Sequence, residues 1–253
     1  MGGNLSYDIV LSMNKRDIKS LLNKEDPIIF ELGAHNGEDT LGFLDEFSGI
    51  NLYCFEPDLR CIAVFNKKVD DERCSLIRAA VTNTDGHTTL HVSTGWPIKI
   101  PRLVQIFHAT RLYVSLYSWY RLLLGDKREW DASSSVMNSV QYSKDWPWLT
   151  FSRRIKVKTI KLDTFTKENG ISFIDFIWVD IQGAEKLMIE GGGATLKKTK
   201  YLYTEYGETS CYPEAMTRDE TIELLQSHGY SLVEKYSSTN KSGDLLFLNM
   251  AHV

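Results

Sequence analysis

The sequence predicts an α/β fold in which a doubly wound, mostly parallel sheet ends in a reversed strand. Apolar segments that suit buried strands alternate along the chain with segments of helical periodicity, as in a parallel sheet covered by helices. The segment 173–179 is almost uniformly apolar, as a central strand covered on both faces should be. Two strand-like segments at the end, 230–235 and 244–249, predict an antiparallel hairpin. We expect the 253 residues to form one domain over 1–253.

The first third of the chain predicts three strands after a helical N-terminal segment, residues 1–27. Apolar residues recur there at helical spacing over 8–22, and a polar run that ends in Pro27 then breaks the helix. Apolar segments predict the strands and amphipathic ones the helices between them. The strands are expected at 28–32, 52–55 and 75–81, and the helices at 38–47 and 58–69.

Two segments with alternating polar residues, 87–92 and 154–162, predict exposed strands that pair antiparallel with each other. They flank a long insertion over 95–151. Beyond the central strand, the same periodicities predict three further elements. These are a helix over 183–190 that three glycines close, a strand over 200–206 and a helix over 217–228.

The insertion over 95–151 differs in composition from the rest of the chain. It holds five of the six tryptophans. The stretch 96–154 has nine Lys and Arg against four Asp and Glu, although the whole chain has a net charge of -4. Aromatic faces and arginines suit a lid over a site for sugars or acidic groups. An interfacial membrane helix and a contact between two copies of the chain are the alternatives.

A glycine turn follows the first predicted strand and opens a helix. Gly33 allows a ligand to approach the backbone closely, and Gly37 allows the helix start to pack tightly. Glu31 ends the strand, where its carboxylate can accept hydrogen bonds from a cationic amine or from the turn. A dinucleotide fold requires a third glycine between these two, and His35 stands there instead. The turn therefore predicts a nucleoside ligand without a pyrophosphate.

The second strand ends in an acid at the place where doubly wound folds bind a ribose. Glu56 and Pro57 follow the apolar run 52–55, about 25 residues after the glycine turn. Because parallel strands present their carboxyl ends at one edge of the sheet, the two motifs are expected to share one pocket. Together they favour S-adenosylmethionine over a dinucleotide as the cofactor.

Three side chains are candidates for the general base of a transfer reaction. Asp180 follows the central strand, and Glu205 follows the next one, so both should face the ligand edge of the sheet. His35 is the third candidate, although a histidine in a turn is usually a hydrogen-bonded structural group. Glu185 stands at a helix start, where capping is the alternative explanation. No acidic or histidine cluster has the spacing of metal ligands, so we expect a metal-independent reaction.

Several segments together resemble the FkbM-type methyltransferases over roughly residues 28–248, with the insertion poorly matched. The matching segments are Glu31–Gly37, Phe55–Pro57, Ala79–Val81, Thr159–Phe165 with its Leu162-Asp163, Ile174–Glu185 and Thr204-Glu205. The resemblance implies a class I methyltransferase fold of the Rossmann-like type and, usually, O-methylation of a hydroxyl on a sugar or natural product. The chain departs from the family at Glu31 and His35, where Asp and Asn are common, and at Trp178 and Gln182, where Lys and Glu are frequent.

The same resemblance implies roles for individual residues. Gly33 and its neighbours would hold the methionine part of the cofactor, Glu56 the ribose, Ala80 and Val81 the adenine, and Asp180 would sit near the reacting methyl. The expected cofactor-binding residues are Glu31, Gly33, Ala34, His35, Asn36, Gly37, Glu56, Pro57, Ala80, Val81, Asp180 and Gln182. For the acceptor, the family's serine pair implies Ser134 and Ser135, and the aromatic, basic insertion adds Trp119 and Arg111.

Composition limits the partners and the compartment that we expect. An acidic chain without a dominant basic cluster argues against general nucleic-acid binding. The four cysteines form no C-x-x-C motif and predict buried or incidental thiols in a reducing, cytoplasmic compartment. We expect no transmembrane segment and no secretion signal. The start, residues 1–6, also fits the loose N-myristoylation pattern.

The functions that remain open after these arguments fall into different classes. The first is O-methylation of a glycan or small-molecule hydroxyl, and the second is N-methylation of a protein or small amine. The sequence lacks the Asn/Asp-Pro-Pro-Tyr motif that would grip a planar nitrogen. The third is a non-catalytic, cofactor-binding subunit that uses the insertion as its interface. A nucleotide-sugar or NAD site comes last.

Overall fold

A computed structural model describes residues 13–96, 110–124, 130–139, 146, 148–207, 212–239 and 242–253. Its centre is a seven-stranded sheet in the order β3-β2-β1-β7-β8-β10-β9. The five strands from β3 to β8 pair in parallel, whereas β10 is antiparallel to both of its neighbours. The predicted α/β fold with a doubly wound sheet and a reversed terminal strand is thus confirmed.

The predicted strands and helices of the main sheet occur in the predicted order, and two short helices, over 162–168 and 193–196, were not predicted. The strands are β1 (Ile28–Leu32), β2 (Asn51–Phe55), β3 (Cys74–Ile77), β7 (Ile174–Val179), β8 (Thr199–Gly207), β9 (Tyr230–Thr239) and β10 (Ser242–Asn249). The helices are α1 (Lys15–Leu22), α2 (Glu38–Glu46), α3 (Leu59–Lys68), α5 (Leu162–Glu168), α6 (Glu185–Gly191), α7 (Gly193–Leu196) and α8 (Arg218–Ser227), and a short 3₁₀ helix (Met250–His252) follows β10. The helix expected over 8–22 begins only at Lys15, because the side chain of Asn14 caps it; residues 1–12 lie outside the described chain.

A second sheet of three strands flanks the insertion. It contains β4 (Ala80–Val81), β5 (Gly86–Thr94) and β6 (Thr150–Ile160), in the order β4-β6-β5. The predicted antiparallel pairing of the two polar-faced segments is confirmed in β5 and β6. The single strand expected over 75–81 was wrong. The chain turns after Ile77, where the N–H of Ala79 donates to the Ile77 carbonyl at 2.9 Å, and Ala80 then joins β6.

Alternate residues of the central strands pack on opposite faces of the main sheet. Phe30 and Ile177 belong to one apolar cluster, and Ile29 and Phe176 belong to the other. This alternation follows from the two-residue period of a strand and places helices on both faces. The strand ends are thereby fixed at one edge, and that edge carries the candidate site.

The insertion divides into an outer helix and a segment near the sheet edge. The helix α4 (Thr110–Leu123) presents apolar side chains to the outside at helical spacing, among them Leu112, Leu116 and Trp119. Within the described parts of the chain, no helix has the length and apolar character needed to cross a bilayer. The inner segment, residues 130–139, contacts the sheet edge through Ser135, whose backbone bridges to His91 of β5.

Candidate functional site

The turn after β1 is held by hydrogen bonds to the end of β2 and lies against the residue that follows β7. The N–H groups of Gly33 and Ala34 both donate to the carbonyl of Phe55, at 2.9 and 3.0 Å. Gly33 has a φ of +91°, and a Cβ there would lie 1.8 Å from the carbonyl oxygen of Asp180. Only glycine fits this position, because both the backbone angle and the close approach exclude a side chain.

A cleft opens above this turn, and the acid at the end of β2 stands in its wall. One carboxylate oxygen of Glu56 accepts from the N–H of His35 at 2.9 Å, and the other accepts from the N–H of Asp58 at 2.7 Å. Glu56 is buried, and burial raises the pKa of its carboxyl group to about 7. A carboxylate oxygen has more than one acceptor direction, so the fixed group can also accept from ligand hydroxyls.

The cleft lining combines an apolar wall with several carboxyl groups. The apolar part includes Phe55, Ala79, Ala80, Val81 and Leu90, and the acidic part includes Glu38, Asp39, Glu56, Asp131 and Asp180. Among the described lining residues there is no Lys or Arg. A pyrophosphate would meet repulsion here, whereas an adenosyl ligand with a sulfonium and an ammonium charge fits the acids and the apolar wall.

The histidine of the glycine turn pairs with an acid from the insertion. His35 Nε2 lies 2.8 Å from Asp131 Oδ1. Burial opposes a charge on the ring, but the hydrogen bond and the charge of Asp131 outweigh it and raise the pKa of His35. His35 also has a positive φ of 46°. In the described chain, the side-chain atoms of His35, Asp131 and Cys61 that could bind a metal ion lie within 4.8 Å of one another.

A glutamine links the two acids that follow β7 and β8. Gln182 Nε2 donates to Asp180 Oδ1 at 2.6 Å and to Glu205 Oε2 at 3.3 Å. Its side-chain oxygen accepts from the hydroxyl of Tyr212 at 3.2 Å, and its backbone oxygen accepts from Ser135 Oγ at 2.7 Å. Gln182 also holds a positive φ of 53°. The three side-chain contacts fix the amide of Gln182 and, through it, the two carboxyl groups. The contact with Ser135 fixes the backbone of the same residue.

The pKa values of the two acids bound to Gln182 are both raised. Burial and then the charges of Asp180 and other nearby acids raise the pKa of Glu205 to about 9. Partial loss of solvent within the cleft also raises the pKa of Asp180, a residue that stays exposed, while the hydrogen bonds from Gln182 and Glu205 oppose that rise. We therefore assign the shared proton to Glu205 and the negative charge to Asp180 near neutral pH, because two adjacent carboxylates do not both ionise readily.

A second cavity, which we call the tryptophan cavity, adjoins the cleft at Gln182 and Ala132. Three aromatic side chains of the insertion line it, Trp130, Trp146 and Trp148. The remainder of its lining comes from other residues of the insertion, from the start of α6 and the turn before it, from the end of β8 and from residues 212–221. The polar and aromatic members of that lining are Ser133, Gln182, Glu185, Glu205, Tyr206, Tyr212 and Thr221.

The inner segment of the insertion is fastened to the start of α3. Ser134 Oγ donates to Asp58 Oδ2 at 3.0 Å and accepts from the Arg60 guanidinium at 3.1 Å and from the N–H of Ser93 at 3.1 Å. Arg60 also donates to both carboxylate oxygens of Asp58, which caps α3. This network holds the insertion over the cleft.

The structure brings most of the expected cofactor residues to the cleft. Those that line it are Gly33, Ala34, His35, Asn36, Glu56, Pro57, Ala80, Val81, Asp180 and Gln182. Glu31 does not line it, because its buried carboxyl turns under the sheet edge and accepts from Thr40 Oγ1 at 2.6 Å and from Cys54 Sγ at 3.1 Å. Gly37 also lies outside, where a Cβ would meet Val69 at 2.8 Å.

The expected acceptor residues are distributed differently. Ser134 and Ser135 line the cleft rather than the tryptophan cavity, and their hydroxyl groups bond to protein atoms. Trp119 is 63% exposed on α4 and lines neither cavity. The backbone of Arg111 belongs to α4, but its side chain lies outside the described structure.

Sequence reasoning missed Asp131, Trp148 and Tyr212 as residues of the site. Asp131 and Trp148 lie in the insertion, whose density of tryptophans was the available signal. Tyr212 follows a stretch outside the described residues and has no local motif. Of the cysteines, Cys54 and Cys61 are buried free thiols, and Cys74 is a half-buried one.

Sequence comparison gives two results for this chain. The family model described as "Methyltransferase FkbM domain" matches residues 31–232. The 2-O-methyltransferase NoeI of Sinorhizobium fredii (strain NBRC 101917 / NGR234) is 32% identical over 235 residues, which cover 92% of this chain and 84% of that protein. The family match spans the glycine turn, the acids at the strand ends and the insertion.

Structural comparison finds methyltransferases at low sequence identity. Magnesium protoporphyrin IX methyltransferase from Synechocystis PCC 6803, with bound S-adenosylmethionine, has a TM-score of 0.46 at 7% identity, over 93% of this chain and 79% of that one. Aeropyrum pernix fibrillarin, also with bound S-adenosylmethionine, has a TM-score of 0.45 at 10% identity, over 93% and 74%. The family match and the Sinorhizobium relative carry the assignment of this chain.

Proposed function

The chain belongs to the FkbM methyltransferase family, and from this premise we propose that it methylates a hydroxyl group of a sugar or glycoconjugate. It is a methyltransferase that depends on S-adenosylmethionine. The Sinorhizobium relative is named a 2-O-methyltransferase, which supports oxygen as the acceptor atom. The observation that carries the proposal is the position of Asp180, whose carboxylate faces the cleft and is joined through Gln182 to the wall of the tryptophan cavity.

The cleft residues suit the parts of the cofactor in turn. Glu56 would accept hydrogen bonds from the ribose hydroxyls, since its carboxylate is held by two backbone N–H groups and faces the cleft. Ala80 and Val81 would contact the adenine. Gly33 allows the turn to lie directly against the backbone of Asp180, beside the place proposed for the methionine part. The acids of the cleft would offset the positive charges of the ligand.

The residues at the junction can serve a displacement reaction. When bound, S-adenosylmethionine supplies an electrophilic methyl group on a sulfonium, and the sulfur keeps the electron pair of the broken bond. The acceptor oxygen forms the new bond to carbon, and Asp180 takes the proton that the hydroxyl loses. Gln182 holds that carboxylate in one orientation at 2.6 Å, so alignment is built before the reaction begins.

Asp180 is a better candidate for the base than the two other predicted residues. Glu205 has a pKa raised to about 9, so it carries a proton near neutral pH. His35 shares its Nε2 with Asp131, and the raised pKa of His35 favours a ring that is already protonated. Asp180 lines the cleft and is hydrogen-bonded to Gln182, the residue through which the cleft adjoins the tryptophan cavity.

A transfer assay tests the proposal directly. Protein, S-adenosylmethionine with a labelled methyl group and a panel of neutral glycosides are incubated, and NMR of the product locates the new methyl group. A methyl ether on a sugar carbon is expected. Methylation of nitrogen on amine acceptors alone would favour the N-methyltransferase alternative and contradict the proposal.

A ligand comparison separates the enzyme from the non-catalytic alternatives. S-adenosylhomocysteine should raise the melting temperature, whereas NAD should not, because no described Lys or Arg lines the cleft to bind a pyrophosphate. Binding of S-adenosylhomocysteine without transfer, together with loss of a partner after Trp119→Ala, would favour a cofactor-binding subunit that uses α4 as its interface.

A further inference from the structure

The tryptophan cavity has the dimensions of a small-molecule site. Its volume is about 340 Å³, within the usual range of roughly 300–1,000 Å³ for ligand pockets. It is separate from the cleft that suits the cofactor and meets it only at Ala132 and Gln182 among the described lining residues. A second ligand could therefore occupy the cavity while the cleft is filled.

The aromatic wall of the cavity is held in place but left open. The rings of Trp130 and Trp148 meet edge to face with centroids 5.5 Å apart. Trp130 Nε1 donates to Ser133 Oγ at 2.7 Å, which fixes the indole. Trp130 and Trp146 nevertheless expose 37% and 41% of their surface. Large aromatic side chains that line a cavity and remain exposed are typical of a binding surface rather than of a packed core.

The charges around the cavity limit the ligand class. Glu185 and Glu205 are acids in the lining, and the described lining contains no Lys, Arg or His. A phosphate or a uronic acid would find no positive partner there. Burial raises the pKa of Glu185 to about 7 and that of Glu205 to about 9, so these groups can both donate and accept hydrogen bonds near neutral pH. Donor–acceptor groups facing an aromatic wall match a ring that carries hydroxyls.

The junction directs such a ring toward the base. Glu205 lies on the cavity side of Gln182 and Asp180 lies on the cleft side, both hydrogen-bonded to the same amide. Tyr212 anchors that amide from the cavity side, since its hydroxyl group bonds to Gln182 Oε1 and to the backbone oxygen of Ser133. A hydroxyl that passes Gln182 therefore reaches the carboxylate of Asp180.

We propose that the tryptophan cavity is the acceptor site and that it binds an uncharged pyranose ring, in contact with Trp130 and Trp148, with one hydroxyl directed past Gln182 to Asp180. The assignment rests on the proposed sugar methylation and names its binding site and the charge class of its substrate. Arg111 and Trp119 have no part in it.

Binding is measured apart from transfer, by saturation-transfer NMR of methyl hexopyranosides with protein saturated in S-adenosylhomocysteine. We expect a signal with at least one neutral methyl hexopyranoside and none with the matching glucuronide. Trp148→Ala and Trp130→Ala should each weaken binding of the glycoside roughly tenfold, because each removes an aromatic surface that the sugar ring contacts. Trp119→Ala is the matched control and should bind like the wild type. Affinity for S-adenosylhomocysteine in all three variants reports that the fold is intact.

The outcomes separate this site from the proposed function. Binding that depends on Trp130 and Trp148 without any methyl transfer would keep the site and refute sugar methylation. Transfer that both tryptophan variants perform with an unchanged KM, in proteins that retain cofactor affinity, would refute the site and keep the function. Absence of binding by every neutral glycoside, or binding confined to the glucuronide or to a glucosaminide, would overturn the assignment of a neutral ring.

Discussion

The cofactor cleft and the tryptophan cavity share Gln182 but are built in different ways. The cleft is formed by short motifs at the ends of neighbouring parallel strands, so Gly33, Glu56 and Asp180 are positioned by backbone pairing. The cavity is formed by side chains of the insertion that meet the start of α6 and the end of β8. The difference suggests that the sheet fixes the cofactor, whereas the insertion selects the acceptor.

The largest expected effect on methyl transfer comes from replacing Asp180, the cleft carboxylate that is hydrogen-bonded to Gln182. Asp180→Asn should lower methyl transfer by about 10²–10⁴-fold, which is the usual contribution of a general base. Affinity for S-adenosylhomocysteine should change little, because the amide keeps the shape of the side chain. Single-turnover transfer and calorimetry measure the two quantities.

Glu205→Gln is the comparison for that variant, since Glu205 lies on the cavity side of the same amide. It should reduce transfer less than Asp180→Asn, because a group with a pKa near 9 is already uncharged at neutral pH. A larger loss in Glu205→Gln would reverse the assignment of the base.

The next largest effect is on cofactor affinity, which should fall in a variant of the cleft but not in a variant of the tryptophan cavity. Glu56→Gln should weaken binding of S-adenosylhomocysteine by about 1.5–3 kcal/mol, since hydrogen bonds to a charged group contribute that much. Glu185→Gln, which changes a buried acid of the tryptophan cavity, should leave the affinity unchanged. Calorimetry measures the affinity of both variants for S-adenosylhomocysteine. Equal losses of affinity would contradict the assignment of the cofactor to the cleft alone.

The cleft should also respond to pH through Glu56. Its pKa of about 7 is raised by burial, and ribose hydroxyls would favour the charged carboxylate. Affinity for S-adenosylhomocysteine should therefore rise up to about tenfold from pH 6 to pH 8, as the group loses its proton. Glu56→Gln should show a flatter profile by calorimetry. A wild-type affinity that falls over this interval would contradict the role.

The smallest effect concerns Glu31, which lies beneath the cleft and not in it. Burial raises its pKa to about 7, so the folded protein binds a proton there that the unfolded chain releases above about pH 4.5. Stability from this group is present at low pH and is lost as pH rises to 7, by about 3 kcal/mol at most. Glu31→Gln should thus show a smaller fall in melting temperature between pH 5 and pH 8.

Glu38→Gln is the control for that measurement, because its carboxyl is exposed at the start of α2. It should keep the wild-type dependence of melting temperature on pH. If the melting temperature of Glu31→Gln depends on pH as that of the wild type does, the buried carboxyl does not titrate as described.

Local sequence pattern was sufficient to predict most of the fold and the strand-end positions around the cleft. The apolar run 173–179 predicted the central strand, and Glu56 was placed by its distance from the glycine turn. Glu31 lies beneath the cleft because a strand alternates its side chains between two faces. Glu31 shares a face with Ile29, which packs in the cluster under α2, and that alternation was readable in the sequence.

The other side of the site was beyond local pattern. Trp148 and Tyr212 lie 64 positions apart in the chain, and only tertiary packing brings them to one cavity. The pairing of His35 with Asp131 is equally remote, with a separation of 96 residues. Such contacts depend on the path of the insertion, which follows no periodic repeat.

A crystal structure of the protein with S-adenosylhomocysteine tests the central claim most directly. The account predicts the ribose on the carboxylate of Glu56, the adenine beside Ala80 and Val81, and the sulfur at the end of the cleft nearest Asp180 and Gln182. Density for the nucleoside within the tryptophan cavity, or a ribose with no contact to Glu56, would contradict it.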